Sequence, residues 1–148
     1  MIRAKDVMSR RVVAARPEMT VGQVADLLVR RRISGVPVVD KNRRPVGVIS
    51  LADLVRRSRA PQEEKIPAFY REDGRVVVAP AVESESEVPA SQAMTPAVLS
   101  ADEKTPVAKL ARFMLRWRIH RVMITAKGRL AGIVTSFDLL RVVSGRAH

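Results

Sequence analysis

The heptapeptide GVISLAD at residues 47–53 recurs as GIVTSFD at residues 132–138. In both copies a glycine interrupts a run of β-branched residues, and a serine or threonine is followed three positions later by an aspartate. Upstream of these segments the halves still match, although one extra residue in a polar turn changes the shift from 85 to 86. The chain is therefore predicted to contain an internal duplication. The matched pairs include Met8 with Met94, Val12 with Val98, Val21 with Val107, Ile33 with Ile119, and Val36 with Val122.

Both copies predict the same order of elements, β-α-β-β-α. Apolar residues at helical spacing, such as Val21, Val24 and Leu28, predict an amphipathic helix that follows polar or proline-bearing residues. Short apolar stretches on either side of a polar turn predict a hairpin of two buried strands. The predicted elements are strands at 11–14, 36–39 and 46–49 with helices at 21–28 and 51–58, and strands at 97–100, 122–124 and 131–134 with helices at 107–114 and 136–143.

One such unit is too small to bury both faces of its sheet, so the two copies are expected to pack together. The predicted fold class is α/β of the α+β sandwich type, with two repeats related by pseudo-two-fold symmetry. Residues 1–58 are assigned to the first repeat and residues 94–148 to the second.

Residues 59–93 are predicted to be a linker or insertion, because they contain four prolines and the acidic run 83–87. Within this segment, Asp73-Gly74 is a turn signal between Phe69-Tyr70 and an apolar stretch, which predicts a small hairpin. The aromatic pair either anchors the insertion to the repeats or contacts a partner.

The formal charge of +12 is unevenly distributed along the chain. Residues 1–60 carry 14 basic and 5 acidic groups, residues 61–93 carry 3 and 7, and residues 94–148 carry 10 and 3. Two basic blocks therefore flank an acidic middle, and their surface favours anionic partners unless it is only a solvated face.

Other features of composition exclude several classes of protein. The absence of cysteine excludes disulfides, thiol nucleophiles and thiolate metal sites. No apolar run approaches the ~18 residues of a membrane span, and no signal peptide is predicted, so a cytoplasmic location is expected.

The first helix of the second copy has an apolar arc wider than one sheet can cover. Phe113 and Trp117 lie four residues apart beside its core stripe, and Leu115 broadens the arc. This surplus either contributes to a homodimer interface or belongs to the core within one chain.

The repeated heptapeptide supports two interpretations. A hydroxyl residue followed three positions later by an acid at a helix start is typical of a capping box, which needs no ligand. Alternatively, a glycine within a strand marks a close approach, and a hydroxyl with free N–H groups at a helix N-terminus suits phosphate. A carboxylate one turn later can accept hydrogen bonds from ribose hydroxyls.

Paired segments of the form PVVD…GVISxxD and RVMI…GIVTxxD, each after an amphipathic helix, resemble CBS domains. The resemblance covers residues 5–58 and 92–144. It implies two clefts between the repeats that bind AMP, ADP, ATP or another adenosine derivative as a regulatory ligand, with no obligatory cofactor. It also implies pairing of modules into a homodimer.

The resemblance assigns roles by position. Asp53 and Asp138 are expected to hold ribose hydroxyls, and Ser50 and Thr135 to hold phosphate. The adenine pockets are expected to be lined by Val12, Val13, Val36, Pro37, Val98, Leu99, Val122 and Met123.

The two clefts are not expected to be equivalent. Met123 departs from the family where the first copy has Pro37, and His120-Arg121 replaces Ser34-Gly35. The segment around His120 is similar to basic segments that contact phosphate in the gamma subunit of AMP-activated protein kinase. The alternative is a histidine that faces solvent or a partner.

Free catalysis is not expected, because the two histidines, His120 and His148, form no recognisable nucleophile, metal or phosphate-loop arrangement. The favoured hypothesis is a nucleotide sensor that signals to an unknown protein partner by conformational change. The alternatives are a basic nucleic-acid-binding protein and a structural dimer whose clefts stay empty.

Overall fold

Two copies of one α+β unit form the fold in the computed structural model, which describes residues 1–59, 69–70, 76–77, 87–96 and 99–145. The predicted fold class is confirmed. The elements are α1 (Ala4–Val7), α2 (Val21–Arg31), β1 (Gly35–Val39), β2 (Pro45–Ser50), α3 (Leu51–Arg59), β3 (Phe69–Tyr70), β4 (Val76–Val77), α4 (Ala90–Ala93), β5 (Ser100–Asp102), α5 (Val107–Trp117), β6 (Arg121–Ala126), β7 (Arg129–Thr135) and α6 (Ser136–Val143).

The predicted hairpins are present in both repeats with the same register. Strands β1 and β2 are antiparallel and pair Val38 with Gly47, and β6 and β7 pair the equivalent residues Ile124 and Gly132. The one-residue length difference therefore lies in the turns beyond these pairs. Apolar residues on alternate positions of each hairpin then face the helices of their own repeat or the other hairpin.

The first predicted strand of each repeat is shorter and later than expected. In the first repeat it is reduced to a single parallel bridge between Ala15 and Val38, and in the second it is β5, parallel to β6. Residues 11–14 form no strand, which corrects the prediction. Pro37 explains the difference, because it has no N–H to extend the ladder toward Val13, whereas Met123 at the matched position has one.

The segment that leads into each repeat packs on the other repeat. The N–H and C=O groups of Ser9 bond those of Ile133 at 2.9 and 3.0 Å, and Thr95 bonds Val48 in the same way at 2.9 and 3.0 Å. Likewise the Ala4 N–H donates to the second repeat at 2.8 Å, and the Ala90 N–H donates to the first at 2.6 Å. This reciprocity is the pseudo-two-fold symmetry that the duplication predicts.

Two hydrophobic cores result, and each combines residues from both halves of the chain. Short helix α1 completes the core of the second repeat, and α4 completes the core of the first. The cores are Ala4, Met8, Leu110, Met114, Val122, Ile124 and Val134 in one case, and Ala15, Val24, Leu28, Val36, Val38, Ile49 and Ala90 in the other.

Two strand glycines, Gly47 and Gly132, permit the leading segment of each repeat to pack on the other repeat. A Cβ at Gly132 would lie 2.6 Å from the Met8 sulfur and 2.7 Å from the Ser9 carbonyl oxygen. At Gly47 the corresponding distances, to Met94 and Thr95, are 2.5 and 2.8 Å. The predicted close approach is confirmed, but the approaching group is the leading segment of the other repeat.

The β1–β2 turn also joins the repeats. The Asp40 carboxylate accepts hydrogen bonds from the N–H groups of Arg44 and Asn42 at 3.0 and 2.8 Å, and the bond from Arg44 is the main reason that the pKa of Asp40 is lowered. The ordered turn presents the Arg43 carbonyl, which accepts a hydrogen bond from the Leu130 N–H at 2.8 Å.

The two remaining expectations about surfaces have different outcomes. Strands β3 and β4 pair antiparallel, as the hairpin prediction requires, whereas residues 83–86 of the acidic run lie outside the described residues. Phe113 packs against the second core, which supports the intrachain alternative for that residue. Leu115 and Trp117 are exposed, and Arg116 lies 5.7 Å from the Trp117 ring centroid.

Candidate functional site

A cavity of about 470 Å³ lies between the two repeats. This volume is within the range of small-molecule sites. Hairpin residues from both repeats form its walls, together with the segments that precede β1 and β6. The lining residues are Ser34, Gly35, Val36, Pro37, Val48, Ser50, Leu99, Ile119, His120, Arg121, Met123 and Ile133.

The cavity is polar at one wall and apolar elsewhere. Matched positions face it in pairs, and Ser34 in the first repeat corresponds to His120 in the second. The neutral Gly35 likewise corresponds to the cationic Arg121. Since His120 and Arg121 are exposed, the wall from the second repeat is the one that attracts an anion.

The Ser50–Asp53 motif forms a complete capping box at the start of α3. The Asp53 carboxylate oxygen Oδ2 accepts hydrogen bonds from the Ser50 N–H and Oγ, both at 2.9 Å, and the Asp53 N–H donates to Ser50 Oγ at 3.1 Å. The other carboxylate oxygen, Oδ1, pairs with the Arg56 guanidinium.

The same arrangement starts α6. Asp138 Oδ2 accepts hydrogen bonds from the Thr135 N–H at 2.8 Å and from its Oγ1 at 3.0 Å, and Asp138 Oδ1 lies 3.8 Å from Arg141. The capping interpretation of the heptapeptide is therefore confirmed in both repeats.

Capping leaves a ligand role possible for the two aspartates. Arg56 and Arg141 are 72% and 57% exposed, and an exposed ion pair stabilises a protein by only about 0–1 kcal/mol. Oδ1 of either aspartate can therefore exchange its arginine for another hydrogen-bond donor at small cost while Oδ2 keeps the cap.

The expectation of free N–H groups at the helix starts is wrong for the first and third residues of α3 and α6. The Leu51 N–H donates to the Ser34 carbonyl at 2.8 Å, and the Ser136 N–H donates to the His120 carbonyl at 2.9 Å. The N–H groups of Asp53 and Asp138 bond the capping hydroxyls. The N–H groups of residues 51, 53, 136 and 138 are therefore engaged within the fold.

The structure brings half of the predicted ligand residues to the cavity. Those that line it are Val36, Pro37, Ser50, Leu99, His120, Arg121 and Met123. Asp53, Thr135 and Asp138 are partly buried at the helix starts, Val12 and Val13 are partly buried, and Val122 is buried in the second core. Val98 lies outside the described residues.

Sequence reasoning did not assign five of the lining residues to the site. They are Ser34, Gly35, Val48, Ile119 and Ile133. The 86-residue shift supplies a signal for two of them, because it maps His120 and Arg121 onto Ser34 and Gly35. No comparable signal marks the strand residues, whose exposure to the cavity depends on how the hairpins pack.

In the part of the chain that the structure describes, no group of three or more histidine, aspartate or glutamate side chains is placed to hold a metal ion. Within the same residues, no helix combines the length and apolarity needed to cross a membrane.

Loss of one cap tests how much the heptapeptide contributes to stability. Thr135→Ala is expected to lower the free energy of unfolding by about 1 kcal/mol, because the Asp138 N–H loses its acceptor. Thr135→Ser keeps the hydroxyl and serves as the control. Chemical denaturation measures both, and equal stability of the two variants would contradict a capping role.

Comparison with known proteins identifies similar sequences over both repeats. The sequence model of the CBS domain matches residues 4–60 and 90–145. The Arabidopsis thaliana chloroplastic CBS domain-containing protein CBSX1 is 27% identical over 135 residues, which are 85% of this chain and 56% of that protein. An inosine-5'-monophosphate dehydrogenase of Methanocaldococcus jannaschii is 33% identical over 79 residues, 53% of this chain and 15% of the enzyme.

The chain thus spans only part of the curated relatives that it matches. Among solved structures, CBSX2 in complex with AMP has a TM-score of 0.77 at 24% identity and covers 100% of both chains. The CBS domain pair of protein MJ0100 in complex with 5'-methylthioadenosine and S-adenosyl-L-methionine has a TM-score of 0.71 at 24% identity, covering 99% of this chain and 98% of that one. At identities below 25%, these similarities show a common fold and nothing more.

Proposed function

The chain belongs to the CBS-domain family as a tandem pair, and from that premise we propose that it is a non-catalytic regulatory module for adenosine nucleotides. AMP, ADP or ATP binds between the repeats and changes their relative position, which a protein partner detects. The observation that carries the proposal is the cavity between the repeats, which Ser50 lines at the start of α3.

The chemistry of the walls fits the three parts of a nucleotide. Pro37, Leu99 and Ile133 supply apolar surface for the base. Asp53 Oδ1 accepts hydrogen bonds from the ribose after Arg56 is displaced. Arg121 provides positive charge for phosphate, and His120 lies beside it on the same wall. Two CBS-pair structures of the same fold contain AMP or S-adenosyl-L-methionine, which supports an adenosine ligand here.

A nucleotide acts as a signal only if it binds two arrangements of the module with different affinity. The reciprocal contacts of Ser9 with Ile133 and of Thr95 with Val48 connect the repeats on both sides of the cavity. A ligand that bridges the hairpins can therefore move the repeats only by straining these hydrogen bonds.

The division into residues 1–58, 59–93 and 94–148 and the cytoplasmic location stay predictions.

A second copy of the chain is the partner we propose for the outer helices. Helix α6 exposes Phe137 and Leu140, which are 67% and 61% accessible, and its counterpart α3 exposes Leu51. Since pseudo-symmetry places α3 and α6 at equivalent positions, a two-fold axis between two chains can cover both helices together. Light scattering of the purified protein, with Phe137→Ser as the interface variant, tests this homodimer.

Thermal unfolding against a ligand panel tests the nucleotide proposal. The panel contains AMP, ADP, ATP with magnesium, NAD and S-adenosylmethionine, with guanosine nucleotides as controls. A bound adenosine ligand at about 100 times its dissociation constant is expected to stabilise the fold by about 2.7 kcal/mol. The Asp53→Asn and Asp138→Asn double variant keeps an acceptor for each cap and is expected to lose the shift. No shift with any adenosine compound would contradict the proposal.

A further inference from the structure

The two sides of the cavity differ at one matched pair of strand residues. Pro37 lies opposite Val48 in the first hairpin, and Met123 lies opposite Ile133 in the second. Because alternate strand residues share a face, Pro37 lies on the face of its hairpin that carries Ser50. By the same argument, Met123 lies on the face that carries Thr135. Each residue therefore controls the space beside one capping hydroxyl.

Met123 fills its side. Its side chain is 7% exposed and packs in a cluster with Val39 and Leu130 that joins the two repeats. Partly buried residues of the first repeat, Val12, Ala14 and Val48, pack against the same cluster. The long thioether side chain adapts to such irregular gaps and leaves little room for a planar base.

Pro37 leaves its side open. Its ring is shorter than a methionine side chain, and the cavity, which Met123 also lines, extends from Pro37 to Leu99 and Ile133 of the second repeat. Ser50 lines this cavity, whereas Thr135 does not. The asymmetry therefore coincides with the Pro37–Met123 difference and separates two helix caps that are otherwise equivalent.

We infer that the chain binds one nucleotide, in the cleft bounded by Pro37 and Ser50, and that Met123 closes the counterpart cleft beside Thr135. The inference rests on the proposed function and specifies its stoichiometry. The base lies against Pro37, and the phosphate lies toward Arg121, so the second repeat contributes charge to a ligand that the first repeat holds.

Isothermal titration of the intact protein with AMP, and separately with S-adenosylmethionine, tests the stoichiometry. One equivalent per chain is the expected result. Two equivalents would overturn the inference and leave the proposed function intact. Binding of neither compound, together with no thermal shift for ADP or ATP, would overturn the proposed function itself, so the two failures are distinguishable.

Exchange of the two residues tests the role of Met123. Met123→Ala is expected to add a second, weaker equivalent, and Pro37→Met is expected to weaken the first equivalent at least tenfold. Met114→Ala is the matched control, because Met114 is 5% exposed in the second core and does not line the cavity. A Met123→Ala protein that still binds one equivalent would overturn the inference. Should Met123→Ala not fold, Met123→Val removes less volume and gives the same comparison.

Discussion

Gly132→Ala is expected to lower the free energy of unfolding by about 3 kcal/mol, which is large for the addition of one methyl group. The added Cβ would lie 2.6 Å from the Met8 sulfur and 2.7 Å from the Ser9 carbonyl oxygen. The sulfur belongs to a flexible side chain, but the carbonyl is fixed by its hydrogen bond from Ile133 at 3.0 Å. The strand and the leading segment must therefore separate.

Differential scanning calorimetry gives the measurement, and for a chain of this length the loss corresponds to a melting temperature lower by about 10 °C. Gly128→Ala is the control, because no atom lies within 4 Å of its added Cβ and only its φ of 77° opposes the change. That strain costs about 1 kcal/mol. An equal loss at Gly128 and Gly132 would contradict the steric explanation.

A double-variant cycle separates the two contacts at Gly132. Met8→Ala removes the sulfur and leaves the Ser9 carbonyl in place. The combined Met8→Ala and Gly132→Ala protein is expected to lose less stability than the sum of the single losses, because the two groups interact directly. Strict additivity would show that the carbonyl contact alone determines the effect. The same cycle with Met94 and Gly47 is expected to give a similar result.

The sequence predicts the fold class because the duplication constrains it twice. The helix at Val21–Arg31 and the helix at Val107–Trp117 have the same apolar spacing, and the two hairpins have the same register on either side of a variable turn. Each expectation drawn from one copy is thus supported by the other, and local pattern agrees with tertiary structure.

The short helices α1 and α4 were not predictable from the sequence pattern. Each has four residues, too few for a periodic pattern, and helices of this length depend on tertiary packing for their stability. The shift that aligns Met8 with Met94 reveals equivalent positions but not which repeat each one covers. Exchange of leading segments between repeats is therefore a property that only the structure shows.

The candidate site was less predictable from the sequence than the fold. The motif residues Ser50 and Asp53 follow from the repeated heptapeptide, and their mutual hydrogen bonds follow from capping chemistry. The hydrogen bond from the Leu51 N–H to the Ser34 carbonyl does not follow from the sequence, since it depends on the path of the chain before β1. The 86-residue shift makes residues 34 and 120 counterparts, but only the structure shows that both line the cavity.

A chain that begins at Arg10 is expected to lose the fold of the second repeat. The deletion removes Ala4 and Met8, which are 0% and 8% exposed in the second core, and exposes Leu110 and Ile124 behind them. It also removes both hydrogen bonds between Ser9 and Ile133. Burial of a methionine contributes about 1.5–3 kcal/mol, and each hydrogen bond adds about 1 kcal/mol.

These losses come to about 3.5–5 kcal/mol, which reaches the lower end of the stability of an ordinary domain, about 5–15 kcal/mol. Hydrogen exchange is therefore expected to show lost protection in α5, β6 and β7, with residual structure in the first repeat. Removal of Met1 and Ile2 alone is the control, because both are exposed and only the Ile2 carbonyl, bonded to the Val107 N–H at 3.0 Å, is lost.

Addition of a peptide of residues 1–10 to the shortened chain makes the experiment specific. If the leading segment acts by covering the second repeat, the peptide is expected to restore protection in α5 and β7 with a saturable concentration dependence. A peptide with Ala4→Arg places a charge at a fully buried position and is expected not to restore protection. Full protection in the shortened chain without any peptide would show that the second repeat folds by itself, and the reciprocal packing would then be dispensable for its stability.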